Sequence, residues 1–336
     1  MEEINIENTV DLIHKKQTTF FSSQLTLSSA FRVGKLKKLL KTIIQKEKEI
    51  HQALFKDLRK SSFESMTSET IFVENEIRKM IRLLPSWNRP QRVQSSLLNF
   101  PSRDYIIPEP FGKTLLISPW NYPFQLAITP LVGAVAAGNT VVLKPSEFAP
   151  NTAKIVSEII AEVFEPEHVT VLEGNVSMAT ALLKKRWDYI FFTGSTSIGK
   201  IVAKAAAEFL TPTTLELGGK SPCIVDESAP IMITAKRIVW GKFLNCGQTC
   251  IAPDFLLVDK KIKVELTQQI IKEIQKAYGE DQSLSDDYGR IIHEKHLNRL
   301  KDYLHSQNIV FGGNVEEDNL YFGPTIVDEP ELDSPL

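Results

Sequence analysis

The chain has 336 residues, a length that accommodates about two domains and a large buried core. Its hydrophobic fraction of 43% excludes intrinsic disorder as the main state, because apolar side chains are plentiful enough to offset the entropy of ordering. The formal net charge of −2 gives no basis for binding to nucleic acid or to an anionic membrane.

Targeting features and cysteine content predict a reduced, cytoplasmic protein. The acidic N-terminus MEEINIENTVDL lacks the basic region and apolar run of a signal peptide. The three cysteines, Cys223, Cys246 and Cys250, are an odd number and do not suit a disulfide framework. The most apolar long stretch, residues 126–138, is too short to span a membrane and is interrupted by Pro130.

The N-terminal part of the chain is predicted to be helical. Apolar side chains recur at helical spacing from Ser29 to Leu58, and a second amphipathic helix begins near Glu69 and ends at Pro85. We interpret both as scaffold. A basic helix lying on a membrane is the disfavoured alternative, because acidic residues interrupt the lysine-rich face: Glu47, Glu49 and Asp57.

Residues 91–110 have a different character and predict a hairpin. Leu97, Phe100 and Tyr105 stand among several prolines, a pattern typical of extended edge strands. An exposed hairpin needs a partner sheet, so this segment is a candidate for oligomerisation.

From Lys113 to Gly219, short apolar runs alternate with helical windows. The runs TLLIS, TVVLKP, VTVLEG, YIFFTG and TTLELGG are continuous, as in parallel strands that are buried on both faces. This repeated βα pattern predicts the α/β fold class, with a doubly wound parallel sheet in a domain of residues 1–217. Further strands and helices predict a second α/β domain over residues 218–336.

Polar residues and glycines follow the predicted strands, at the edge where such sheets bind ligands. Gly194, Ser195 and Gly199 lie in a strand-to-helix turn, and a helix N-terminus suits a phosphate; the alternative is an ordinary turn with Ser195 or Thr196 as the helix cap. Lys144 and Glu147 suit the phosphate and ribose hydroxyls of a nucleotide; the alternative is a surface ion pair.

Other residues have the chemistry of nucleophilic catalysis. Cys250 follows the small and polar residues GQT, whose flexible backbone suits a nucleophile and an oxyanion hole, whereas we interpret Cys223 as an inert buried thiol. Glu216 lies in an apolar run, so we expect a buried carboxylate with a raised pKa, acting as a general base or paired with Lys220. Asn121 follows a strand, where it suits an oxyanion or a simple turn.

A histidine pair superficially resembles a metal motif. His293 and His296 enclose two residues in the order His-Glu-Lys-His, which is not H-E-x-x-H. No carboxylate or cysteine cluster completes a site, so we expect a solvated helix face and no metal.

In their order and spacing, the motifs SPWNYPF, VLKPSE, FFTGSTSIGK, LELGGKSP and FLNCGQTCIAPD resemble those of the NAD(P)-dependent aldehyde dehydrogenase superfamily, in detail its class 3-like, fatty-aldehyde-type branch. The resemblance implies that Cys250 is the catalytic thiol, Glu216 the general base and Asn121 an oxyanion donor. It implies an NAD or NADP site whose residues are Trp120, Lys144, Glu147, Gly194, Ser195 and Gly199.

The resemblance also implies a reaction and an assembly. A small-molecule aldehyde is oxidised to a carboxylic acid through a thiohemiacetal and a thioester, and the complete protein is a homodimer. The carboxylate of Glu147 favours NAD, although this branch often uses both cofactors. A CoA-acylating dehydrogenase is the disfavoured alternative, since that chemistry does not need the water-activating Glu216.

The sequence departs from the family pattern at two points. Cys246 stands where many relatives have a small residue, and we hypothesise that an oxidant links it reversibly to Cys250 and inactivates the enzyme. The chain also ends at PELDSPL, before the family's E-[IL]-F-G-P motif, so we expect an incomplete catalytic domain. An inactive remnant that at most binds dinucleotide is therefore an alternative.

Overall fold

The fold is available as a computed structural model that describes residues 2–331 and 333–336. The chain forms two compact units, one of Met1–Ile50 and Thr67–Glu216, the other of His51–Met66 and Leu217–Leu336. The predicted boundary near residue 217 divides the chain only once. It therefore places residues 51–66 in the first domain, whereas in the structure they belong to the second unit.

Helices cover most of the first 87 residues: α1 (Glu2–Ser22), α2 (Ser29–Gln45), α3 (Glu47–Leu58), α4 (Ser62–Ser65) and α5 (Ile71–Trp87). The predicted helix over residues 29–58 is divided at Lys46, where α2 ends and α3 begins. A π-helical turn, Met66–Thr70, separates α4 from α5. Helix α5 continues two residues past Pro85, a difference within the usual uncertainty of helix ends.

The predicted hairpin is confirmed. Strands β1 (Gln91–Val93) and β2 (Asp104–Ile106) pair antiparallel, with Arg92 opposite Tyr105. The connecting segment exposes large apolar side chains: Leu97, Leu98 and Phe100.

A five-stranded sheet forms the centre of the first unit. Its strands and the helices between them are β3 (Lys113–Ile117), α6 (Gln125–Ala137), β4 (Thr140–Lys144), α7 (Pro150–Val163), β5 (Val169–Val171), α8 (Val176–Leu183), β6 (Tyr189–Gly194), α9 (Thr196–Glu208) and β7 (Thr213–Leu217). The strand order is β5-β4-β3-β6-β7, and the first four strands are mutually parallel. Every residue of β4 is buried, as the continuous apolar run predicts. The α/β class with a doubly wound parallel sheet is confirmed.

The second unit is also α/β. Its elements are β8 (Ser221–Val225), α10 (Ile231–Phe243), β9 (Pro253–Val258), α11 (Lys263–Tyr278), α12 (Glu294–Tyr303), β10 (Ile309–Phe311), β11 (Val315–Glu316), β12 (Tyr321–Phe322) and β13 (Ile326–Val327). Strands β8 and β9 are parallel, and β10 pairs with β13 and β11 with β12, antiparallel in both cases. The β11–β12 pair was not predicted, since two-residue strands are too short to show a pattern. Among the helices that the structure describes, none has the length and apolar run needed to cross a bilayer.

A histidine is enclosed by aromatic rings in the first unit. His168 is fully buried, and its ring centroid lies 5.3 to 5.4 Å from those of Phe20, Phe31 and Phe164. Burial lowers the pKa of His168 to about 4, and the positive charge of Lys35 acts in the same direction. The folded chain therefore holds this imidazole neutral at pH values where an ordinary histidine is protonated.

We expect the free energy of unfolding to fall by about 3 kcal/mol on acidification from pH 6.5 to pH 4 because of His168. Between these values the unfolded chain binds a proton at His168 that the folded chain excludes. Urea unfolding at a series of pH values should show this contribution in the wild type, and the slope should be smaller by that amount in His168→Leu. The exposed His305 provides the control, since His305→Gln should keep the wild-type slope. A His168→Leu variant with unchanged pH dependence would contradict the expectation.

Candidate functional site

The carboxyl ends of the parallel strands bring several predicted site residues together in the first unit. The chain passes from β3 through β4 to β5 and then adds β6 on the other side of β3, so the strand order reverses between β3 and β6. Doubly wound sheets bind ligands at this switch point. Trp120 and Asn121 follow β3, and Gly194 and Ser195 follow one another at the end of β6. These four residues therefore lie at the switch point.

The segment after β3 is fixed by a carboxylate that the sequence analysis missed. Glu69 is fully buried, and its Oε2 accepts hydrogen bonds of 2.9 Å from the backbone N–H groups of Phe124 and Gln125. A carboxylate at a helix N-terminus satisfies N–H groups without helical partners and meets the positive end of the helix dipole. Trp120 and Asn121 are half-buried and immediately precede this capped start of α6.

Lys144 and Glu147 form an ion pair at the end of β4. Lys144 Nζ lies 2.6 Å from Glu147 Oε2 and donates to the Pro145 carbonyl at 3.2 Å. Lys144 is only 3% exposed, so the pair is not the simple surface ion pair that we considered as the alternative. The arrangement presents a nearly buried cation and a solvent-exposed carboxylate at the binding edge of the sheet.

The turn between β6 and α9 begins with a capping serine. Ser195 Oγ accepts from the Ile198 N–H at 3.4 Å, so Ser195 and not Thr196 is the helix cap. The first turn of α9 is exposed, whereas Gly199 is buried. A Cβ atom on Gly194 would lie 2.5 Å from the Phe192 ring, so packing requires glycine there.

The expectation that Glu216 is buried is wrong. Glu216 lies in β7, which is the edge strand of the sheet, and its side chain is exposed. An edge strand has a neighbouring strand on one side only, so its apolar run does not ensure burial. Lys220, the partner considered for it, forms an ion pair with Asp254. Burial therefore gives no support to an acid–base role for Glu216. Its side chain supports this role only by being a carboxylate.

Cys250 lies in the second unit and is exposed. The loop before it contains three consecutive residues with left-handed backbone: Asn245, Cys246 and Gly247 have φ values of 53°, 56° and 77°. Left-handed backbone costs a non-glycine residue about 1–2 kcal/mol. The loop therefore has a strained backbone conformation, which contacts with the rest of the second unit must stabilise. This differs from the flexible backbone that we expected from its small residues.

Buried polar groups hold the start of this loop. The Asn245 N–H donates to Glu64 Oε1 at 2.7 Å, and Asn245 is fully buried. The Asn245 side-chain amide donates to the Gln248 carbonyl at 3.3 Å.

Close to the loop, burial lowers the pKa of Lys242, and the carboxylate of Asp254 at 3.9 Å opposes that shift.

Cys246 is packed against the core of the second unit. Its Sγ donates to the Phe322 carbonyl at 3.8 Å, and the Tyr288 hydroxyl donates to the same carbonyl at 3.1 Å. Burial raises the pKa of the Cys246 thiol to about 12. Disulfide formation proceeds through a thiolate, so these features argue against the proposed link to Cys250.

We therefore expect the rate of inactivation by hydrogen peroxide to be the same in Cys246→Ala as in the wild type. The expected target of oxidation is the exposed Cys250, whose reaction does not require Cys246. The measurement is the enzymatic rate that remains after timed exposure to peroxide. The rate is measured again after treatment with a thiol, in the wild type and in Cys246→Ala. If Cys246→Ala were protected, or lost the recovery that thiol gives the wild type, the disulfide hypothesis would stand.

The histidine pair contributes to helix structure. His293 Nδ1 accepts from the His296 N–H at 3.2 Å, so His293 is the N-cap of α12. The two rings lie 4.4 Å apart, and burial lowers the pKa of both. Within residues 2–331 and 333–336, no group of three or more His, Cys, Asp or Glu side chains is arranged to hold a metal ion.

The profile of the aldehyde dehydrogenase family matches residues 7–336. The chain belongs to the aldehyde dehydrogenase family. Members of this family use NAD or NADP as cofactor.

Two curated relatives and one solved structure illustrate how similar this aldehyde dehydrogenase family chain is to known members. It is 44% identical to the 4,4'-diaponeurosporen-aldehyde dehydrogenase of Staphylococcus aureus, over 94% of this chain and 70% of that protein. It is 44% identical to aldehyde dehydrogenase family 3 member A2 of Macaca fascicularis, over 88% of this chain and 61% of that protein. The substrate-bound structure of a Staphylococcus aureus AldH has a TM-score of 0.95 and 43% identity, covering 97% of this chain and 72% of that one. The chain thus spans 61% to 70% of the length of these two curated relatives.

Proposed function

We propose that this protein oxidises an aldehyde to a carboxylic acid with NAD+ or NADP+, through a covalent bond to Cys250. The observation that carries the proposal is the exposed thiol of Cys250, which follows a strained loop that buried side chains hold in place. Strained backbone persists only where surrounding contacts enforce it, and it clusters at functional sites. An exposed cysteine beside such a loop suits a nucleophile.

The first unit carries hydrogen-bond donors and an acceptor that fit a dinucleotide. The exposed start of α9 offers backbone N–H groups and a positive dipole end to a pyrophosphate, with Gly194, Ser195 and Gly199 in its turn. Lys144 and Glu147 offer a cation and a carboxylate to ribose hydroxyls. Among the described residues, the buried Ser118 Oγ at the end of β3 has no hydrogen-bond partner, as expected where a ligand completes the site. Trp120, two residues later, would line the same dinucleotide site.

The chain's own residues account for the steps at the aldehyde. The Cys250 thiolate attacks the carbonyl carbon, and the Asn121 amide and the Cys250 N–H donate hydrogen bonds to the resulting alkoxide. A dinucleotide held by Lys144, Glu147 and the start of α9 would supply the acceptor for the hydride that leaves the carbonyl carbon. A thioester remains on Cys250, and Glu216 takes a proton from the water that hydrolyses it. The net reaction converts aldehyde, NAD(P)+ and water to carboxylic acid, NAD(P)H and a proton.

Two further proposals concern location and assembly. The odd set of cysteines suits the cytoplasm, where thiols stay reduced. The exposed side chains of Leu97, Leu98 and Phe100 between β1 and β2 suit a homodimer interface, because monomeric proteins rarely expose contiguous apolar patches.

The test is an assay of the purified chain for aldehyde-dependent NAD(P)H formation, with aldehydes of graded chain length and with each cofactor. Turnover that requires an aldehyde and Cys250 supports the proposal. Binding of NAD+ in calorimetry without turnover on any aldehyde would favour a protein that binds dinucleotide only. Turnover that requires coenzyme A would indicate the acylating reaction.

A further inference from the structure

The side-chain amide of Gln248, two residues before Cys250, ties the loop to two other parts of the second unit. Its Nε2 donates to the backbone carbonyls of Asn245 at 3.1 Å and Arg290 at 2.9 Å. Its Oε1 accepts from the Ile292 N–H at 3.1 Å. One amide therefore joins the left-handed start of the loop to residues 290–292.

The segment that Gln248 contacts is itself fixed. Arg290 is buried, and its backbone N–H donates to the Leu58 carbonyl at 2.9 Å. Its guanidinium donates to three backbone carbonyls at 2.8 to 3.0 Å, those of Tyr288, Gly289 and Ser283. Gln248 thus connects a strained loop to an anchor that is hydrogen-bonded on several sides.

We propose that Gln248 is a positioning residue for Cys250. By holding the left-handed turn at residues 245–247, its amide keeps the following thiol in one orientation for attack. The inference rests on the proposed function, in which Cys250 is the nucleophile. It goes beyond that function by assigning the geometry of the thiol to a side chain that need not touch substrate or cofactor.

Glutamine is the residue type that this geometry requires. The donor end faces two carbonyl oxygens and the acceptor end faces an N–H, an arrangement that an amide satisfies completely. A glutamate of the same shape would place an oxygen without hydrogen against both carbonyls. Gln248→Glu therefore removes the two donated hydrogen bonds with little change in volume.

The chain offers a matched control in Gln282. Its Nε2 also donates to two backbone carbonyls, of Gly279 at 2.6 Å and Glu280 at 2.9 Å, and the residue is buried whereas Gln248 is half-buried. Gln282→Glu introduces the same charge against the same kind of group, in a loop that does not carry Cys250. If such a charge only destabilises the fold, both variants should be affected. If Gln248 positions the thiol, activity should fall in Gln248→Glu and not in Gln282→Glu.

The experiment compares the wild type, Gln248→Glu and Gln282→Glu by hydrogen exchange of peptides covering residues 244–252 and by steady-state kinetics. For Gln248→Glu we expect exchange at least about tenfold faster in these peptides. We expect kcat to fall by about 10-fold to 100-fold with KM for the aldehyde changed less than about threefold, because small displacements of reacting groups lower the rate more than they lower binding. Gln282→Glu is expected to match the wild type in both measurements.

Wild-type exchange and kcat in Gln248→Glu would overturn the inference, and so would equal losses in both variants. If Gln248→Glu does not fold, Gln248→Met serves in its place, since it is neutral, similar in length and lacks the hydrogen bonds. A wild type without turnover, or a Cys250→Ser variant that retains it, overturns the proposed function instead. In that case the exchange rates alone decide whether Gln248 holds the loop.

Discussion

Replacing Cys250 with serine is expected to lower the rate of aldehyde-dependent NAD(P)H formation by about 10⁴-fold or more, because loss of a covalent nucleophile removes most of the catalysis. A serine hydroxyl occupies nearly the same space, but it is almost entirely protonated at neutral pH. Affinity for NAD+ is expected to stay within about twofold, since the residues proposed to bind the dinucleotide belong to the first unit. Initial rates at saturating cofactor and calorimetric titration with NAD+ measure the two quantities.

Cys223 provides the control for this substitution. It is half-buried in β8, and burial raises the pKa of its thiol, so Cys223→Ser is expected to keep wild-type turnover. A similar loss of turnover in both serine variants would indicate damage to the fold of the second unit. It would then give no support to a specific role for Cys250.

Replacing Asn121 with alanine is expected to lower kcat by about 10²-fold to 10³-fold, the usual effect of removing one oxyanion donor. The amide is expected to act on the alkoxide and much less on the aldehyde, so KM should change little. Asn121 follows β3 just before the start of α6 that Glu69 caps, and alanine leaves that cap in place.

Thermal unfolding and steady-state kinetics together test the expectation for Asn121. The exposed Asn298 in α12 provides a control, because Asn298→Ala removes the same amide from a helix surface and should leave kcat unchanged. A folded Asn121→Ala variant with kcat within about threefold of the wild type would contradict the proposed role.

The sheet of the first unit could be predicted because each strand carries its burial pattern within a few residues. In β4 the run TVVLK is continuous, and all of Thr140–Lys144 is buried. Glu216 shows the limit of such a pattern. Its apolar run predicts a strand correctly, but the position of that strand at the edge of the sheet depends on strand order, which no local window contains.

The residues of the candidate site could be named from the order of the motifs, and their roles stay predictions. The side chains that support the site could not be named. Glu69 and Phe124 are 55 residues apart, and Glu64 and Asn245 are 181 residues apart. In both pairs the partner is a backbone N–H, a group present in every residue except proline, so the contact leaves no trace in the sequence.

The three cysteines differ enough in their surroundings to make the unmodified chain suitable for fluorescence labelling. Burial raises the pKa of Cys223 and Cys246, whereas Cys250 is exposed, so a maleimide dye is expected to react first at Cys250. Rotational anisotropy of that dye would follow the motion of the loop that Gln248 contacts. A reactive aldehyde would compete with the dye for the thiol, so labelling kinetics offer a way to rank aldehydes without measuring turnover.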